Sequence, residues 1–232
     1  MTKPAKLVLW TLAALASLAA LASLAATGGV HPVRAANPLP AAQLDEPRPA
    51  QPTQESVVLA GGCFWGMQLV FAHVRGVVSA TAGYAGGVAA TAHYDTVSTG
   101  SSGPAESVRV VYDPGQVSLG TLLRIYFSVA HNPTELDFQG PDEGTQYRSA
   151  IFYANPEQYR IARAYIAQLQ AAGAFRRPIV TVLTPLTAQR GFYPAEAYHQ
   201  NYAEHNPDDL YIRINDLPKL AALRSQWPAL SR

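Results

Sequence analysis

Cys63 is the only cysteine among 232 residues, and it lies in Gly61-Gly62-Cys63-Phe64-Trp65-Gly66. Ahead of it Val57-Val58-Leu59-Ala60 reads as a short buried strand. Behind it Met67, Val70, Phe71 and Val74 continue, with Cys63, the three- and four-residue spacing of one helix face. Two glycines between strand and helix let the backbone turn sharply and leave its N–H groups open. The spacing places Cys63 in the first helical turn, where free N–H groups and the positive end of the macrodipole favour a thiolate. Such a thiolate between aromatic neighbours is a soft nucleophile beside an apolar surface. A lone free cysteine is equally readable as a small buried hydrophobe. The other polar residues that stand out are Tyr94, Glu106, Asp142 and Tyr147, in or beside two irregular stretches. Each has an ordinary reading as a solvated charge or a half-buried phenol, and the sequence does not show that they meet.

Composition narrows the chemistry. One cysteine excludes an intramolecular disulfide, a CxxC redox pair and a multi-cysteine zinc site. The six histidines form no HExxH or similar ligand pair, so no metal is expected. Net charge is +1, and no basic stripe points to nucleic acid.

The positioning elements begin well into the chain. Lys3 and Lys6 precede an apolar Ala/Leu-rich run over 7–26, and Val33-Arg34-Ala35 offers small residues where a signal peptidase needs them. Residues 1–35 therefore read as a signal peptide or, because the run is long enough to span a bilayer, an uncleaved N-terminal anchor. Both readings imply an exported, periplasmic protein. Residues 36–54, rich in Pro, Ala and Gln, read as an extended linker that does not pack. The folded domain is expected over 55–232.

Within that domain, 77–82 reads as a strand and 83–103 as a long loop holding Tyr94. Glu106 opens a strand in which Val108, Val110 and Tyr112 alternate with Ser107, Arg109 and Val111. Ser118 caps a helix with a stripe of Leu119, Leu122, Leu123, Tyr126 and Phe127. A second irregular stretch, 131–144, holds Asp142. Strands follow at 149–153 and 179–183, and Asn155-Pro156-Glu157 starts a helix running to about 172. Short helices are expected at 195–204 and 217–226. The order is not strict β/α alternation, which argues for an α+β fold with a mixed, largely antiparallel sheet and helices on one face.

Four strings, in order, resemble the A-type peptide methionine sulfoxide reductases: Gly61 to Gly66, Ala82-Gly83-Tyr84-Ala85-Gly86-Gly87, Gly144-Thr145-Gln146-Tyr147-Arg148-Ser149, and Phe192 to Glu196 with Tyr198-His199-Gln200. The resemblance implies a two-layer sandwich on a ferredoxin-like core and a stereospecific reductase of methionine-S-sulfoxide, free or in proteins. It implies no cofactor, only an external thiol reductant such as a thioredoxin-like protein or a small thiol, and a monomer. By position, Cys63 matches the nucleophile, Glu106 the acid that protonates the sulfoxide oxygen, and Tyr94 and Tyr147 the hydroxyls that hold that oxygen. Phe64 and Trp65 match the aromatic wall around the substrate methyl, and Asp142 a carboxylate lining the site. The chain departs from the pattern at Gln68, Pro104, Asp137-Phe138 and Pro141, and it lacks the resolving cysteine that many relatives carry near the C-terminus. Two other readings stay open: a cysteine hydrolase using His131 or His199 as base, and a binding module for oxidised methionine that has lost turnover.

Overall fold

The computed structural model describes residues 39–232. The export segment expected over 1–35 lies outside the described residues. Among those described, no helix is long and apolar enough to cross a membrane.

Strand alternation organises the domain. In β1 (Glu55–Ala60), Val57 and Leu59 face the main core while Val58 and Ala60 face a smaller cluster on the other side of the sheet. The chain then runs through α1 (Phe64–Ala72), β2 (Val77–Ala85), the single turn α2 (Tyr94–Val97) and β3 (Ala105–Tyr112). It continues with α3 (Leu119–Ile125), a hairpin of β4 (Phe138–Gln139) and β5 (Asp142–Glu143), β6 (Ala150–Tyr153) and α4 (Pro156–Ala171). Last come β7 (Val182–Pro185), β8 (Phe192–Pro194), α5 (Tyr202–His205) and α6 (Leu217–Gln226). The main sheet has the order β7-β6-β1-β3-β2-β8, with only β6 and β7 parallel. Its central four, β6-β1-β3-β2, form two interleaved split β-α-β units, the ferredoxin-like arrangement. The α+β, largely antiparallel expectation holds.

Residues of α1, α3 and α4 bury the main core against one face: Met67, Val70 and Phe71, then Leu119, Leu122 and Leu123, then Ile161, Tyr165 and Leu169. Each side chain of this size stabilises by about 1.5–3 kcal/mol on burial. The opposite face carries mostly small residues, with Phe152, Leu186 and Phe192 over them. Both helix starts read from the sequence are present. Ser118 Oγ accepts from the Thr121 N–H at 3.3 Å, and Asn155 Oδ1 from the Gln158 N–H at 2.9 Å.

Several elements depart from expectation. Residues 39–46 are not a free linker: Leu39 is buried, Tyr165 donates to the Pro40 carbonyl, and Gln168 bonds both Ala41 and Gln43. The carboxylates of Asp45 and Glu46 accept from the Gly120 and Leu119 N–H groups, at 2.8 and 2.7 Å, at the start of α3. A Pro-rich segment with two leucines and two acids can dock wherever a helix N-terminus offers free N–H groups. In the loop expected over 83–103, β2 extends to Ala85 and α2 starts at Tyr94. The strand expected at 179–183 sits at Val182–Pro185, and the helix expected at 195–204 is split by Asn201 at φ +55. The β4–β5 hairpin and edge strand β8 are too short to show a period in sequence. Beyond Ile125 a π-helical turn, Tyr126–Ala130, completes the stripe.

Candidate active site

Gly62 adopts φ +90, which turns β1 into α1 and leaves Cys63 as the N-cap of the helix rather than within its first turn. The alternation of β3 does the rest. Glu106 shares the parity of Val108, Val110 and Tyr112, so its side chain emerges on the helix face beneath the start of α1. There its Oε2 accepts from the Phe64 N–H at 3.0 Å. The same carboxyl acts on the neighbouring Cys63 thiol, whose pKa its charge raises. Burial pushes the Glu106 pKa up to about 8, and Asp142 and Asp216 add to the shift.

The thiol does not behave as the helix end alone would dictate. Cys63 is only 8% exposed. Burial first, then the charges of Glu106, Asp216 and Asp142, raise its pKa well above the ordinary value, against the Trp65 N–H that favours the thiolate. The resting site therefore holds a neutral thiol beside a carboxyl that keeps its own proton at neutral pH.

All seven residues singled out from the sequence come together here. Tyr94, on α2, is partly buried, and burial followed by the charges of Glu106 and Cys63 raises its phenol pKa. Tyr147 ends a 3-10 turn, Thr145–Tyr147, whose carbonyl accepts from the Gly62 N–H at 3.1 Å. Its phenol is raised by burial, then by Glu106, Asp142 and Cys63. Asp142 follows the Gly140-Pro141 turn of the hairpin and accepts from the Tyr211 hydroxyl, so Pro141 does not remove it from the site. Burial raises its pKa. Phe64 is enclosed between Tyr84, at a centroid distance of 5.7 Å, and His199, at 5.0 Å. Trp65 is half-buried; it stacks on Tyr202 at 4.0 Å, meets Tyr211 edge-on, and donates its indole N–H to His199 Nδ1 at 3.2 Å.

The sequence reading assigned no role to Tyr211, Asp216, Glu196 or Tyr202, and gave His199 only the alternative role of a hydrolase base. Glu196 accepts from the Tyr94 N–H and the Tyr84 hydroxyl, at 3.0 and 2.8 Å, and so fixes α2 against β2. The signal available was the Tyr198-His199-Gln200 string; the contacts that give it meaning span more than a hundred residues. Gln68 serves in a buried amide network, donating to Ala80 and Gln200 and accepting from the Asn201 N–H. A carboxylate there could not donate.

Neither His131 nor His199 hydrogen-bonds Cys63. His131 Nδ1 lies 3.0 Å from the Tyr126 carbonyl and Nε2 2.7 Å from Ser149 Oγ, and burial lowers its pKa to about 3. The bonded nitrogen of His199 faces Trp65. Among the described residues no cluster of three or more His, Cys, Asp or Glu side chains is arranged to hold a metal.

The chain is similar to known proteins over this whole domain. The peptide methionine sulfoxide reductase family model matches residues 55–230. A peptide methionine sulfoxide reductase, MsrA 2, of Mesorhizobium japonicum is 54% identical over 181 residues, covering 78% of this chain and 91% of that relative. One from Synechocystis is 51% identical, covering 75% of this chain and 79% of the relative. The solved methionine sulfoxide reductase A of Corynebacterium diphtheriae superposes with a TM-score of 0.57 at 39% identity, covering 78% of this chain and 87% of that one. A single buried cysteine facing a raised carboxyl, on this fold and over this length of similarity, places the chain in the family of A-type peptide methionine sulfoxide reductases.

Proposed function

We propose that Cys63 attacks the sulfoxide sulfur of methionine-S-sulfoxide, free or in proteins, while Glu106 delivers a proton to the sulfoxide oxygen. The observation that carries this reading is the buried thiol–carboxyl pair: Glu106 accepts from the N–H of Phe64, the residue next to Cys63, and its pKa of about 8 lets it take or give a proton near neutrality. The proton needed on the oxygen is the one the thiol must lose, and Glu106 is the group that relays it. Tyr94 and Tyr147 supply hydroxyls to the same oxygen as charge gathers there. Phe64 and Trp65 enclose the methyl group, a contact worth about 1 kcal/mol, and Asp142 orients the substrate with Tyr211. As the S–O bond breaks, the oxygen passes to Cys63, methionine leaves, and the cysteine becomes a sulfenic acid.

With no second cysteine in the chain, resolution falls to an external thiol. A first thiol condenses with the sulfenic acid and expels water; a second releases Cys63 and leaves the reductant as a disulfide. A small thiol or a thioredoxin-like protein fits this role, and the chain needs no metal or organic cofactor. The apolar N-terminal run supports an exported enzyme that repairs oxidised periplasmic proteins. The decisive experiment is turnover of resolved S- and R-sulfoxides with dithiothreitol. Reduction of the S form alone, abolished by Cys63→Ser, is expected; equal use of both forms would overturn the reading.

A further inference from the structure

Gly66 closes the cysteine motif yet has no part in the chemistry above. The space beside its bare backbone is occupied by Asp216: any side chain at position 66 would run into Asp216 Oδ1 and Lys219 Nζ. Asp216 is fully buried, with 0% of its surface exposed. Oδ1 accepts from Lys219 Nζ at 3.1 Å, and Oδ2 has no hydrogen-bond partner among the described residues. A carboxylate taken wholly out of water with one half unsatisfied is costly unless its position does something else. It ends the π-helical turn Ile212–Asp216, and Tyr211, which holds Asp142, immediately precedes that turn.

We infer that Asp216 is a positioning residue: seated on Gly66 and held by Lys219, it locks the turn after Tyr211 onto the helix that carries Cys63 and sets the charge at the back of the site. The groups facing it are Lys219 on α6, Asp209 ahead of the turn, Cys63 on α1, Glu106 on β3, Asp142 on β5 and Tyr211. Burial raises the pKa of the Asp216 carboxyl, and Lys219, the main opposing influence, favours its ionised form. The ionised carboxylate opposes loss of the Cys63 proton and helps Glu106 retain its own. Removing the negative charge should therefore ease thiol ionisation, whether the carboxylate is replaced or takes up a proton once Lys219 is gone.

The test uses the full chain and the rate at which iodoacetamide alkylates Cys63, its only cysteine, as a function of pH. The inference rests on Cys63 as the nucleophile, but alkylation reads the thiol directly. Failure of wild-type sulfoxide turnover would defeat the reductase reading and leave this test intact. Asp216→Asn, close in shape but uncharged, should move the rising limb to lower pH by about half a unit, a roughly threefold change in thiolate population. Lys219→Met should move it the same way, because Asp216, buried and without its cation, takes up a proton, and the double variant should lie near Asp216→Asn rather than add the two shifts. A single variant displaced to higher pH, no displacement in folded variants, or a double variant that sums both shifts overturns the assignment. Should Asp216→Asn not fold, Lys219→Met, whose native side chain is 22% exposed, decides alone. Anything but a shift to lower pH then overturns it.

Discussion

Replacing Glu106 with Gln keeps the length of the side chain and a hydrogen-bond donor but removes its exchangeable proton. Attack on a sulfoxide needs one proton shared over the Cys63–Glu106 pair: the thiolate must form and the oxygen must be protonated. Below the Glu106 pKa of about 8 the pair holds two protons, and above the still higher thiol pKa it holds none. Wild-type kcat/KM should climb toward pH 8, level off, and fall where the thiol itself ionises. Glu106→Gln should lose the limb near 8 and retain more activity than Glu106→Ala, which should fall by about 10²–10⁴-fold. The same pKa has a consequence for stability. Glu106 is raised from 4.5 to about 8, so the folded state holds a proton that the unfolded state has released. Stability contributed by that proton is complete below the unfolded pKa and declines as pH rises through the folded one, by about 1.4 kcal/mol per unit. Over the window from 4.5 to about 8 the loss is on the order of 5 kcal/mol. Urea unfolding should show Glu106→Gln gaining on wild type by that order at pH 8.5 and no such gain near pH 4.5. A Gln variant that keeps the limb near 8, or an Ala variant with unchanged neutral rate, would refute the assignment of this proton to Glu106.

Cys63→Ser should fold with an unchanged circular dichroism spectrum and show no sulfoxide reduction by product chromatography; measurable turnover would remove Cys63 from its role. One turnover without reductant should yield about one methionine per enzyme and one trapped sulfenic-acid adduct by intact mass. Several methionines per enzyme would mean that the cycle closes without an external thiol. Glu46→Ala should cost about 1–3 kcal/mol in urea unfolding, because the Leu119 N–H loses its acceptor and the buried Tyr112 hydroxyl loses its partner. An unchanged midpoint would show that residues 39–46 contribute nothing to the fold.

What could be read from the sequence follows from the range of the interaction that carries each feature. The helix starts at Ser118 and Asn155 are local, because cap and first turn lie within four residues, and both stand where the pattern puts them. The alternation of β3 is also local. It names the core residues Val108, Val110 and Tyr112, and continuing it back by one step puts Glu106 on the helix face, so part of the candidate site's geometry is written in one strand. The state of Cys63 is not local. A helix N-terminus promises a thiolate, yet Glu106, Asp142 and Asp216 approach from positions 43, 79 and 153 residues later in the chain and reverse the outcome with the help of burial. The docked acids at 45 and 46 fail to show for the same reason, since their partners are Tyr112 and Ser118 to Gly120. A reading by composition sees a proline-rich linker, whereas the fold sees two carboxylates within reach of an open helix end. The residues most easily missed are therefore those whose whole effect is electrostatic or capping across the chain. Asp216 is the extreme case, because the signal that announces it is an absent side chain at Gly66.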